Sequence, residues 1–260
     1  MDKTCITMVL DRSGSMNSCR KSTIDAVNKY LAEARGSELS AADFELTIFD
    51  SLSIDTIRSG KLSGTSDITE ADFVPREMTP LYDAMARGID SLDNRAGDGK
   101  AILVIVTDGM ENHSRKHTHS SISELVRARQ DKGWLIIFLG AGLDSARQGT
   151  AMGINAENVA NIGLDEASLR ASMEVMASTN RAYVQTPNMA EARAYSAAPK
   201  FSAAIRKRMG DESGGEGLIS RASKIFTSGS GRKSTSTPSG SREDSWEGSR
   251  DDDAWNSKNQ

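Results

Sequence analysis

Cysteine is scarce: Cys5 and Cys19 are the only two in 260 residues, too few for a disulfide framework. One sits in an apolar run and the other near a helix start, so both are expected as reduced thiols of a cytoplasmic protein. Long apolar runs are lacking too. None approaches the roughly 18 to 20 residues that span a bilayer, and Met1-Asp2-Lys3 pass straight into a strand without a signal-peptide pattern. No charge of one sign dominates, and a net charge of -4 argues against a general binder of nucleic acid or anionic membrane. A Gly-x-x-x-x-Gly-Lys-Ser/Thr loop for a nucleoside triphosphate is absent. The length that remains allows one full domain plus appendages.

The chemistry begins at Asp11-Arg12-Ser13-Gly14-Ser15, directly after the apolar run Thr4 to Leu10. One carboxylate and two hydroxyls at alternate positions set hard oxygen donors at the end of a buried strand. Such a set suits Mg²⁺ or Mn²⁺ better than zinc. In open α/β sheets, ligands dock at the carboxyl ends of strands, so place and chemistry agree.

Periodicity supplies the frame. Ile24, Val27, Leu31 and Ala34 share a face of a helix running from Met16 to about Ala34. Phe44–Phe49 and Leu52–Ile57 form an expected hairpin, and Ser59 to Met78 reads as a long loop over the top of the sheet. Pro80 opens a helix whose inward stripe includes Leu81, Ala84, Met85, Gly88, Ile89 and Leu92. Residues 101–106 are nearly all Ile, Leu and Val, as a central parallel strand requires. A helix over Ser121–Lys132, a strand over Trp134–Leu139, a short helix over Leu143–Met152, a short strand over Asn158–Ile162 and a helix over Asp165–Tyr183 follow. Strands alternating with helices imply an α/β fold: a doubly wound, Rossmann-like, six-stranded and mostly parallel sheet with helices on both faces.

Asp11-Arg12-Ser13-Gly14-Ser15 resembles the Asp-x-Ser-x-Ser motif of von Willebrand factor A domains, where it opens a metal-ion-dependent adhesion site. Met78-Thr79-Pro80-Leu81-Tyr82-Asp83-Ala84 is similar to the loop that supplies a Thr, and Ala101 to Gly109 to the strand that ends in a ligating Asp. Asp108-Gly109-Met110-Glu111-Asn112 resembles a stretch of stand-alone bacterial and phage members, with Met110 in place of an acidic residue. Glu77-Met78 stands where many relatives have a Gly before the Thr. The resemblance implies that the second hairpin strand is a short antiparallel edge. It also implies that Asp11, Ser13, Ser15, Thr79 and Asp108 hold Mg²⁺ or Mn²⁺, directly or through water. The open position then takes an Asp or Glu carboxylate from a protein partner, with no nucleic acid, no membrane and a monomeric chain expected.

Two other functions stay open. Asp11 could be the nucleophile of a Mg²⁺-dependent phosphohydrolase, although Ser13 stands where phosphatases of the haloacid-dehalogenase type resemble a pattern with a second Asp. Alternatively the metal site is vestigial and the chain is a scaffold acting through its tail. His113, His117 and His119 are expected in a solvated loop rather than a zinc site, and Gly140-Ala141-Gly142 in a structural turn rather than a dinucleotide loop.

The domain is expected over residues 1–184, with a short helical extension over 185–209. Residues 210–260 are rich in Ser, Gly and charge, and are expected as a disordered tail. The acidic stretches Glu243-Asp244-Ser245-Trp246-Glu247 and Asp251-Asp252-Asp253-Ala254-Trp255 read as a solubilising end or as a short acidic-aromatic docking motif.

Overall fold

The computed structural model describes residues 3–142 and 145–211. Expectations for Leu143, Asp144 and residues 212–260 therefore lie outside the described residues. Six strands form one sheet in the order β3-β2-β1-β4-β5-β6, comprising β1 (Thr4–Asp11), β2 (Asp43–Phe49), β3 (Ile54–Lys61), β4 (Lys100–Thr107), β5 (Leu135–Ala141) and β6 (Val159–Ile162). All neighbours are parallel except β2 and β3, the antiparallel edge pair.

The period of two in each strand sorts side chains between two cores. Ile6, Met8 and Leu10 of β1, with Ile102, Val104 and Val106 of β4, face one side, where α1 (Arg20–Arg35) and α5 (Glu166–Val184) pack. Val9, Leu103 and Ile105 face the other, under α2 (Leu81–Ala96), α3 (His119–Asp131) and the short α4 (Ser145–Ala151). Because both faces are covered, β1, β4 and β5 carry near-continuous apolar runs. Gly88 lets α2 press onto β1, since a Cβ there would lie 2.7 Å from Val9 Cγ2. Local signals close the helices: Thr118 and Ser121 form a capping box on α3, and the Asp165 carboxylate accepts the Ser168 N–H at the start of α5.

Three expectations shift, the first being the fifth strand, which runs on through Gly140 and Ala141 where a turn was expected. β3 covers Ile54–Lys61 instead of Leu52–Ile57, because Asp50 Oδ1 accepts the N–H groups of Leu52 and Ser53 and ties residues 50–53 into the turn. The long loop consequently begins at Leu62 rather than Ser59, and it is anchored rather than merely draped. Leu62, Ile68 and Phe73 are buried in the α1-side core. Asn28 exchanges two hydrogen bonds with the backbone of Ile68, and Arg20 donates to the carbonyl of Phe73.

The segment after α5 joins the same core. In it, α6 (Met189–Ala197) and α7 (Ala203–Arg208) bury Ala192, Phe201 and Met209. Buried Arg206 donates to the carbonyls of Val159 and Phe201 and pairs with buried Asp211 at 3.4 Å. The N–H of Gly163, directly after β6, donates to the Met209 carbonyl at 2.7 Å. Residues 209–211 are thereby held at the carboxyl edge of the sheet. Cys5 and Cys19 are both buried free thiols. Among the described residues, no helix is long and apolar enough to cross a membrane.

Candidate metal centre

Three loops at the carboxyl ends of β1 and β4 and at the start of α2 carry the five oxygen-bearing side chains picked out from the sequence. The structure brings them together. Asp11 closes β1 and is fully buried; its Oδ1 accepts the Ser13 N–H at 2.7 Å and its Oδ2 accepts the Thr107 hydroxyl at 2.5 Å. The Ser13 and Ser15 hydroxyls share a hydrogen bond at 3.1 Å, and Ser15 donates to Asp108 Oδ1 at 2.6 Å. One hydrogen-bonded chain therefore runs from the first loop to the third. Ser13 and Thr79 are buried, Asp108 is half-buried and Ser15 is exposed, so the cluster opens to solvent on the side of Ser15 and Asp108.

Backbone contacts fix the loops against one another. Gly14 N–H donates to the Glu77 carbonyl at 3.0 Å and Arg76 N–H to the Arg12 carbonyl at 3.0 Å, joining the first loop to the second. The Asn112 side-chain oxygen accepts the Thr79 N–H at 2.9 Å, and Asn112 N–H donates to the Thr79 carbonyl at 3.1 Å, joining the second to the third. Glu77 meets this geometry at φ 61, a left-handed conformation unusual for a residue with a side chain. Gly109 leaves the cradle open: a Cβ there would lie 2.8 Å from Thr79 Oγ1 and 3.5 Å from Asp11 Oδ2.

An ion-paired frame adjoins the site. Arg12 bonds Asp50 through Nε at 2.8 Å and Nη2 at 2.6 Å, and Arg76 reaches the same carboxylate at 2.9 Å. Burial pushes Asp50 up, but the Arg76 hydrogen bond, the backbone donors of Leu52 and Ser53, and the Arg12 charge outweigh it, so its carboxyl sits below the usual range. Asp11 goes the other way. Burial raises it to about 6 against the lowering effect of its Thr107 and Ser13 hydrogen bonds, and the Asp108 charge adds to the rise. Asp108 is raised too, chiefly by burial, with the Ser15 hydrogen bond opposing.

The donor set fits a hard divalent cation. It consists of oxygen alone, from two carboxylates and three hydroxyls, around a space that Gly109 leaves clear. A cation there would supply the positive charge that the two raised carboxylates lack. Among the described residues, no three His, Cys, Asp or Glu side chains converge as a metal site, so the hydroxyls are essential to this fit.

Several supporting residues lie outside the motifs. Thr107 closes the apolar run of β4, and a polar residue in that place is itself a signal. Gln148 of α4 accepts the Glu111 N–H at 2.7 Å and donates to the Gly109 carbonyl at 3.2 Å, a contact that sequence distance hides. Glu111 accepts the N–H groups of Tyr82, His113 and Ser114, and Asp83 accepts those of Arg115, Lys116 and His117. These two acids hold the loop between β4 and α3 in place. His113 and His117 are half-buried in it and His119 is exposed at the start of α3.

No protein-family profile matches the chain, and no curated protein matches it. Solved structures do. The pilus adhesin SpaC of Lactobacillus rhamnosus GG, in an open conformation, is similar at 14% identity and a TM-score of 0.56, over 69% of this chain and 30% of that one. A von Willebrand factor type A protein from Catenulispora acidiphila is similar at 14% identity and 0.51, over 69% and 43%. Proximal thread matrix protein 1 of the mussel byssus, in a form with a zinc-occupied MIDAS motif, is similar at 16% identity and 0.53, over 69% and 48%. The chain thus spans less than half the length of each of these three proteins. From the sheet order, the helices on its two faces and these likenesses, the chain has the von Willebrand factor type A fold.

Proposed function

We propose that this chain is a protein-binding module that works through a bound Mg²⁺ or Mn²⁺. Asp11, Ser13, Ser15, Thr79 and Asp108 would hold the cation, and an Asp or Glu carboxylate of a protein partner would complete its coordination. The observation that carries this reading is the convergence of five oxygen-bearing side chains from three loops with only two carboxylates among them. Two negative charges leave a divalent ion electron-poor, and the exposed side at Ser15 leaves a position open. The similarity in fold to an adhesin, and to a protein with a metal-filled MIDAS motif, supports the same direction.

The phosphohydrolase alternative fits the geometry less well. Both Asp11 oxygens accept hydrogen bonds and the side chain is fully buried, whereas a nucleophile must reach its phosphorus atom. Ser13 offers no carboxylate to move a proton two residues on.

Calorimetric titration with Mn²⁺ tests the site. One cation should bind the wild-type chain, and Thr79→Ala or Asp108→Asn should each weaken binding by at least about tenfold with the fold retained. Unchanged affinity in both variants would refute the assignment. Partner capture from native lysate, run in parallel with Mg²⁺ and with a chelator, tests the second half: the partner should be held only when the cation is present.

A further inference from the structure

The turn between β2 and β3, residues 50–53, supplies none of the candidate ligands, yet the first and second loops both bond to it. Buried Asp50 is its centre. Asp50 Oδ2 accepts Arg12 Nε at 2.8 Å and Arg76 Nε at 2.9 Å, while Ser53 Oγ accepts an Nη2 from each, at 2.9 Å and 3.2 Å. Arg12 also reaches Asp55 at 3.3 Å. The other Asp50 oxygen takes the N–H groups of Leu52 and Ser53, which fixes the carboxylate within its own turn. Ser51 adds a hydroxyl that accepts the Met78 N–H at 3.3 Å.

The two arginines stand beside the ligands without being among them. Arg12 lies between Asp11 and Ser13, and Arg76 lies three residues before Thr79. One carboxylate outside the metal centre therefore ties the first ligand loop to the second. Between Arg76 and Thr79 stands Glu77 at φ 61, and such a backbone persists only where its surroundings over-determine it. Asp50 holds one side of it through Arg76, and Asn112 holds the other through the Thr79 N–H. The Glu77 carbonyl in turn accepts the Gly14 N–H and closes the first loop on the second. Stability alone is a weak reason for this arrangement, because desolvating a buried pair such as Arg12 and Asp50 costs about as much as its attraction returns.

We infer that Asp50, acting through Arg12 and Arg76, is a positioning residue of the metal centre. It sets the separation between the Ser13 and Ser15 hydroxyls and Thr79, and with it the fit of the cage around a cation. This rests on the cation-binding reading above.

Arg76→Met separates positioning from plain charge. Arg12 and Arg76 balance Asp50 and Asp55, so losing Arg76 leaves the frame with an excess negative charge. Charge alone would then draw a cation more tightly. Positioning gives the opposite sign: calorimetric titration of the full chain with Mn²⁺ should show binding about tenfold weaker than wild type. Arg76 is 43% exposed and Arg12 still pairs with Asp50 in the variant, so the fold should be retained. Arg76→Lys keeps the charge and a donor toward Asp50, and should recover most of the affinity. Amide exchange of the chelated chains gives a readout without metal. In Arg76→Met the Gly14 N–H should exchange about tenfold faster, while Val104 in the middle of β4 keeps its wild-type rate. Equal or tighter Mn²⁺ binding in Arg76→Met, or an unchanged Gly14 rate, overturns the positioning role. Acceleration at Val104 as large as at Gly14 would mean general loosening and overturns it as well. Absence of Mn²⁺ binding in the wild type would defeat the cation reading, and this inference with it.

Discussion

Asp11 is where the folding cost and the proposed function meet. Its carboxyl is held near 6 in the folded chain, above the ordinary Asp value near 4, because it is buried. A raised acid contributes stability that is fully present below the unfolded pKa and is lost as pH rises through the folded one. For the cation-free protein this residue therefore destabilises by an order of about 1–3 kcal/mol between pH 4 and pH 7. Asp11→Asn should make the chelated protein more stable at pH 7 by about that amount and leave it little changed at pH 4, as read by urea unfolding at both pH values. The same variant should lose the response to Mg²⁺. In the wild type, proton and cation compete for the site, so Mg²⁺ affinity should fall as pH drops below about 6. Gly109→Ala probes the cradle without touching charge. Its methyl would meet Thr79 Oγ1, and Mn²⁺ affinity should fall by about tenfold while the melting temperature moves little; unaltered affinity would mean Thr79 stands away from the ion. The oxygen-bearing residues were legible because a strand end fixes where Asp11 and Asp108 point. Gln148 was not, since its role depends on α4 packing across β5 and β6, which no local pattern encodes.

At the scale of elements, legibility followed periodicity. The three central strands and the amphipathic α1, α2 and α5 stand close to where their apolar spacing places them. The hairpin is displaced because an Asx turn at Asp50 overrides the β-propensity of Leu52. The loop from Leu62 to Pro80 hid its anchors for another reason. Leu62, Ile68 and Phe73 are isolated apolar residues in polar surroundings, and the groups that hold their backbone, Arg20 and Asn28, lie on α1 some 40 to 50 residues earlier. The segment after α5 shows the same dependence on distant partners. Arg206 of α7 fastens the end of the described chain by reaching the Val159 carbonyl and Asp211. Arg206→Ala leaves the buried Asp211 without that charge, so it should destabilise by about 3 kcal/mol in chemical denaturation. The companion Arg206→Ala/Asp211→Ala should recover part of this loss. A single variant no less stable than wild type would show that the α7 region contributes nothing to the core.

For the molecule as a whole, the sheet holds the site and the three loops pay for it in buried charge. A cation that binds only the folded chain must raise global stability by RT ln(1 + [L]/Kd), because the unfolded chain scatters Asp11, Thr79 and Asp108 along nearly 100 residues. At a hundredfold excess over Kd this amounts to about 2.7 kcal/mol. For a domain of this size each kcal/mol corresponds to roughly 2–4 °C, so saturating Mg²⁺ should raise the melting temperature by about 5–10 °C relative to chelator. The shift should keep growing with the logarithm of cation concentration, which separates binding at one site from a general salt effect. It should vanish in Ser13→Ala/Ser15→Ala, whose hydroxyls are local to the site and contribute little to the core. A rise that survives this double substitution would place the stabilising cation elsewhere. No rise in the wild type would leave the two raised carboxylates uncompensated by metal.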